Sequence, residues 1–136
     1  LGFGFRILNK IAMSDFKSYK DLDIYIISMD LFLSLHPKTL KLPKYELYEL
    51  GSQLRRSSDS IVSNIVEGYG RRRYKAEFIR FLVFSHGSCL ETINHIYKIT
   101  VLYPDLKQEF GSLMPMYENL GGKIFNFIIY VDKNWK

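Results

Sequence analysis

The stretch GSQLRRSSDSIVSNIVEGYGRRRYKAEFIR, residues 51–80, decides the fold. Leu54, Ile61, Ile65 and Tyr69 continue a three-four rhythm begun by Leu47 and Leu50, with Ser57 or Ser58 filling the gap. That is helix spacing. Pro43 suits a first helical turn, and no proline interrupts residues 44–67, so the pattern predicts one helix of about 24 residues, about 36 Å long. Gly51, Ser57, Ser58 and Ser60 are small and invite close approach by a neighbouring helix. Gly68 and Gly70 then predict a stop in the C-cap role, and another helix opens near Tyr74. The same stretch carries Arg55, Arg56, Arg71, Arg72, Arg73, Lys75 and Arg80 against Asp59, Glu67 and Glu77, a surplus of four positive charges. The whole chain carries only +5, so the remainder is nearly neutral.

Three more helices are expected around this one. Upstream, Leu22, Tyr25, Ile26, Met29, Phe32 and Leu33 fall three and four apart, with Asp21 as N-cap and Pro37 and Pro43 bracketing a connection. Ile24, Ile27, Leu31 and Leu35 make that helix apolar nearly all round, which implies burial on more than one side or an oligomer contact. Downstream, Phe78, Leu82, Ser85, Cys89, Ile93, Ile96 and Thr100 form one stripe that Phe81 and Phe84 widen, ended by Tyr103-Pro104. Asp105 is positioned to cap the last helix. There Leu106, Phe110, Leu113, Tyr117, Leu120, Ile124, Phe127 and Val131 alternate four and three. Because that period continues past Pro115, a kink rather than a break is expected. Period-two alternation and hairpin turns are missing. The pattern predicts an all-α, antiparallel up-down-up-down four-helix bundle.

Composition bounds the rest. The 136 residues suit one domain, expected over residues 13–136, with residues 1–12 an upstream extension or artefact. The 47% apolar and 24% charged content is ordinary for a globular protein. Asp30 interrupts the longest apolar candidate, residues 24–35, so no membrane span is expected. The single Cys89 excludes an intramolecular disulfide framework and fits a reducing cytoplasm. A pI near 9.3 with its charge localised favours a polyanionic partner.

Arg71, Arg72 and Arg73 are the strongest chemical signal, with Tyr69 and Tyr74 beside them. Guanidinium forks match phosphate and stack on bases, and tyrosine supplies a stacking face. The same arginines follow a helix C-terminus, where cations are favoured without any partner. Arg55–Asp59, Glu67–Arg71 and Arg73–Glu77 are also four apart and could pair on the surface. Three consecutive arginines exceed what capping needs. Ser60, Ser63, Asn64 and Glu67, with Ser88 and Glu91 opposite, predict a polar seam that fixes helix pairing. Metal and nucleophile signals are weak: Glu91 and His95 lack a second ligand pair, and Cys89 lies on an apolar stripe. No catalytic residue, metal or cofactor is expected, and enzymatic activity is not.

Two blocks carry a resemblance. Gly51-Ser52-Gln53-Leu54-Arg55-Arg56, then Ser60 to Gly68 followed by Gly70-Arg71, resembles the bacterial four-helix-bundle family of 23S rRNA intervening-sequence proteins. Phe78-Ile79-Arg80-Phe81-Leu82, then Gly87-Ser88 with Glu91, is similar to the family's second block. The likeness covers residues 22–131 and is most specific between Gln53 and Gly70. Val62 stands where members often carry Pro, and Ser57 and Val66 where they often carry Ala. The resemblance implies a non-enzymatic bundle, with some members encoded inside large-subunit rRNA genes. Related retroelement accessory proteins form pentameric rings and use basic surfaces to engage nucleic acid and a reverse transcriptase. It matches Arg55, Arg56, Arg71, Arg72 and Arg73 to the family's basic positions.

These observations lead to the expectation of a cytoplasmic homo-oligomer that binds nucleic acid, RNA before DNA. Arg71, Arg72 and Arg73 would contact phosphate, and Arg55, Arg56, Lys75 and Arg80 would extend the patch. The alternative is an interaction scaffold whose basic patch meets an acidic protein.

Overall fold

The clean period of the last segment persists in space: Phe110, Tyr117, Leu120, Ile124 and Val131 are all fully buried. A computed structural model describes residues 16–136, so the expected boundary near Met13 lies outside the described residues. In order they form a 3-10 turn Tyr19–Asp21, α1 Asp23–Thr39, a 3-10 turn Lys44–Glu46, α2 Leu50–Gly70 and α3 Lys75–Leu102. A 3-10 turn Pro104–Leu106, the short α4 Lys107–Gly111 and α5 Met114–Asn134 complete them. No strand occurs among the described residues. Helix α2 packs on α3, α3 on α5, and α1 closes the bundle against α2 and α5. The result is an antiparallel four-helix bundle in which α4 and α5 together make the fourth limb.

Helices α2 and α3 meet most intimately, and small residues are the reason. A Cβ at Gly68 would lie 3.0 Å from the Phe81 Cβ and 3.3 Å from the Phe78 carbonyl oxygen. Further along, Ser85 donates to the Ile61 carbonyl at 2.8 Å, Ser88 to Ser60 at 2.9 Å, and Thr92 to Ser57 at 2.8 Å. Each such bond contributes about 0.5–1.5 kcal/mol, but a buried hydroxyl left unpaired costs about 1–3 kcal/mol. A slip of register would strand several at once, so the ladder selects one alignment.

The polar seam is therefore real, but its membership differs from expectation. Ser60 and Ser88 belong to it, and Asn64 donates to the Ser60 carbonyl and hydroxyl. Ser63, Glu67 and Glu91 are exposed instead. Ser57, Ser85 and Thr92 take their places.

Several boundaries move, each for a local reason. Asp21 serves the preceding turn, accepting from the backbone N–H groups of Lys17 and Ser18, so Leu22 rather than Asp21 precedes α1. Pro37 does not bracket the connection: it sits inside the last turn of α1, two residues before its end, where little helix remains to be broken. Residues 44–67 are not one helix. Glu49 leaves helical geometry at φ −110°, ψ −103°, separating the 3-10 turn from α2. That bend buries Glu46, whose carboxylate accepts from Tyr103 at 2.5 Å, while Gly51 slides under the Glu46 carbonyl. The bond to Glu46 holds the Tyr103 phenol well above its usual pKa, so it stays a donor.

The expected stop is where the glycines are, since α2 ends at Gly70, but neither glycine is the cap: Gly68 is within the helix, Arg71 takes the C-cap position, and no glycine among the described residues has positive φ. Before Pro115 the fourth limb breaks at Ser112 and Leu113 rather than merely kinking, and Pro115 then occupies the first turn of α5. On α1 the buried face is Ile24, Ser28, Leu31, Leu35 and Thr39, not the expected stripe; Ile26 and Leu33 are exposed. A helix apolar all round has no period that picks its inner face.

The close approach at Gly68 yields a paired test. Gly68→Ala should lower stability by about 1–3 kcal/mol, because the Phe81 Cβ cannot rotate away. Gly70→Ala meets nothing within 4 Å and should raise stability by up to about 1 kcal/mol through helix propensity. Thermal melting of the two variants checks the contrast; equal shifts would refute it.

Candidate nucleic-acid interface

The turn joining α2 to α3, residues 71–74, is built from the backbone outward. Arg71 N–H bonds the Gly68 carbonyl at 3.0 Å, Arg72 N–H the Tyr69 carbonyl at 3.2 Å, and Tyr74 N–H the Arg71 carbonyl at 2.9 Å. From beyond α5, Trp135 donates its indole N–H to the Arg72 carbonyl at 3.1 Å. Trp135 is itself buried between Phe16, stacked at 6.3 Å, and Phe78, edge-on at 5.3 Å. The turn is thus held by the end of α2 and by the indole beyond α5.

The seven basic residues expected as one patch divide into two groups. Arg71, Arg72, Arg73, Lys75 and Arg80 gather at this end. Arg55 and Arg56 lie some fifteen residues back along α2, about 24 Å away. Arg55 is structural there: it donates to Thr39 Oγ1 at 2.8 Å and to the Leu47 carbonyl at 2.6 Å, tying α1 to the connection. The Arg55–Asp59 pair that the spacing would allow does not form among the described residues. Arg56 is exposed.

Within the turn group each cation has a different environment. Arg72 folds back on its own helix, donating to the Tyr69 carbonyl at 2.9 Å with its guanidinium 4.0 Å above the Tyr69 ring. It caps α2. Arg71 pairs with Glu67 at 3.7 Å and Glu77 at 3.4 Å, and lies 4.7 Å over the Phe81 ring. Arg80 shares Glu77 at 3.4 Å and sits 5.2 Å over Phe84 and 5.8 Å over Phe81. Lys75 turns toward α5, donating to the Asp132 carbonyl with the Asp132 carboxylate 3.9 Å away. Arg73 is exposed and has no ion pair among the described residues; the anticipated bond to Glu77 is taken by Arg71 and Arg80. Five cations face Glu67, Glu77 and Asp132, so the end keeps a positive excess, concentrated on Arg73.

The neighbouring aromatics also sort themselves. Tyr69 is buried and donates to the Phe16 carbonyl at 3.0 Å, so it offers no face to a ligand, whereas Tyr74 is 65% exposed. Phe84, read from sequence as widening the core stripe, is 44% exposed and meets Phe81 edge-on at 5.6 Å. Sequence reasoning missed Phe84 as a surface group and Phe81 as half-buried. The available signal was Arg80, placed one and four residues before them on a single helix face.

Elsewhere the chemistry is quiet. His95 is buried with its Nε2 3.5 Å from Glu91, and no group of three metal-ligating side chains occurs among the described residues. The Cys89 thiol donates to the Tyr117 carbonyl at 3.2 Å, and burial pushes its pKa up to about 12. No helix of the described residues is long and apolar enough to cross a membrane.

The indole bond carries a prediction for the turn. Trp135→Phe keeps the ring packing and removes one hydrogen bond, so stability should fall by about 1 kcal/mol. Amide exchange at residues 71–74 should accelerate more than in the bundle core. Uniform acceleration would mean the indole does not hold the turn.

A comparison with curated proteins finds none that matches the chain. The family model described as 23S rRNA-intervening sequence protein matches residues 20–126, from the first 3-10 turn into α5 and across the arginine turn. The chain belongs to the 23S rRNA-intervening sequence protein family.

Proposed function

We propose that this protein is a non-enzymatic homo-oligomer that binds nucleic acid, RNA in preference to DNA, at the end of the bundle formed by the arginine turn. The observation that carries this reading is the exposed Arg73, in no ion pair among the described residues, beside Arg71, whose ion pairs to Glu67 and Glu77 are exposed and weak. Phosphate is the partner whose geometry such forked donors fit. Arg72 contributes by fixing the turn, and Lys75 by fastening it to α5. Contacts of this kind go to the backbone and carry no base choice.

Oligomerisation is supported by two apolar stripes at opposite corners. Ile26 and Leu33 on the outside of α1 and Leu40 just past its end repeat every seven residues, and Val83, Leu90 and Tyr97 do so on α3. These helices stand diagonally in the bundle, so the stripes face apart. Two different faces joining head to tail form rings where the rotation between subunits closes, in keeping with the pentamers that the resemblance implies. Such a ring would present several arginine turns to one nucleic acid or to a partner such as a reverse transcriptase.

Two measurements test the proposal. Arg71→Ala with Arg73→Ala, leaving the capping Arg72 in place, should make the log–log salt dependence of RNA affinity shallower by about 1.4 units, at about 0.7 per lost single-strand phosphate contact. An unchanged slope would leave the turn as a solvated helix end and favour an acidic protein partner. Leu33→Asp, at a 57% exposed site, should lower the molar mass in light scattering without lowering the monomer's stability. A wild-type protein that is already monomeric at micromolar concentration would rule out the oligomer.

A further inference from the structure

The first turns of α3 expose aromatic rings where charge alone would need none. Phe84 is 44% exposed, and its ring meets Phe81 edge-on at 5.6 Å and the Arg80 guanidinium at 5.2 Å. Phe81 carries Arg71 at 4.7 Å and Arg80 at 5.8 Å. Tyr74, 65% exposed, immediately precedes the same helix, four residues before Phe78. Phe81 and Phe84 therefore cluster with the guanidinium groups of Arg71 and Arg80 at this end of the bundle, with Arg73 and the exposed Tyr74 in the turn before α3.

A single exposed ring is ordinary on a protein surface, but exposed rings grouped with several cations are the informative case. They suit a ligand that is anionic along its backbone and has flat apolar faces. A guanidinium held against a ring has lost much of its motion already, and presents its N–H edges outward in a fixed plane. Glu77 holds Arg71 and Arg80 between it at 3.4 Å each, and Glu67 reaches Arg71 at 3.7 Å. These are exposed ion pairs, weak enough for a phosphate to replace the carboxylates.

We infer that Phe84 and Tyr74, set among Arg71, Arg73 and Arg80, form a base-stacking surface that restricts the nucleic-acid ligand to single strands without choosing their sequence. The inference rests on the nucleic-acid reading above and specifies its ligand. Every base has a π-face, so stacking tolerates any sequence. A duplex hides those faces inside its own stack, so only unpaired bases can reach Phe84.

Fluorescence anisotropy on the full chain decides the matter, with labelled oligouridine and the oligouridine–oligoadenine duplex as probes. Wild type should bind oligouridine more tightly. Phe84→Ala should weaken oligouridine binding between about 5-fold and about 100-fold, leave duplex affinity and the salt slope unchanged, and be rescued by Phe84→Trp. Glu77→Gln should tighten both probes by freeing two guanidinium groups. If Phe84→Ala leaves oligouridine affinity unchanged while Arg71→Ala with Arg73→Ala still weakens it, stacking is refuted and phosphate binding stands. If wild type binds neither probe, the nucleic-acid reading fails with it. A Phe84→Ala protein that loses molar mass and both affinities together would make Phe84 a subunit contact, which also overturns the inference.

Discussion

Everything in this bundle depends on how near α2 and α3 approach one another. Gly68 lets the backbone of α2 reach the base of the Phe81 side chain, and the hydroxyls of Ser57, Ser60, Ser85, Ser88 and Thr92 complete the seam without bulky side chains. Apolar burial drives the helices together but is indifferent to small slips. Directional bonds in a dry seam are not. The connection between the two helices is consequently short and fixed in place, and the arginines it carries are fixed with it.

That constraint explains why the turn group is only partly a charge cluster. Arg72 closes the end of α2, Lys75 fastens α3 to α5, and Arg71 and Arg80 are held against rings and carboxylates. A cation used for folding is a poorer ligand group than one left in water. The turn separates the two uses residue by residue, with Arg73 exposed and in no ion pair among the described residues. Membership of the 23S rRNA-intervening sequence protein family fixes the kinship of the chain, while the division of labour among these arginines comes from their surroundings.

Sequence periodicity read the fourth limb well, since its apolar residues form one narrow stripe that only one face can bury. It read α1 poorly, because a helix greasy on every side contains no choice for a pattern to record. Gly68 was recognisable as special but for the wrong reason: a glycine at a helix end suggests a cap, and only the partner helix reveals a contact. Arg55 shows the same limit, as its bonds to Thr39 and the Leu47 carbonyl join residues brought together by the bend at Glu49. Composition located the basic stretch. It could not reveal which charges were already engaged, because engagement is set by neighbours distant along the chain.

Trp135 is the only tryptophan of the chain, and its indole N–H is bonded to the backbone of the arginine turn. Indole emission depends on the polarity and hydrogen bonding around that group. The protein therefore carries its own optical probe at the end of the bundle where a ligand is proposed to land. Its emission reports on that end alone, leaving the connection at Glu46 and Tyr103 spectroscopically silent in the same window.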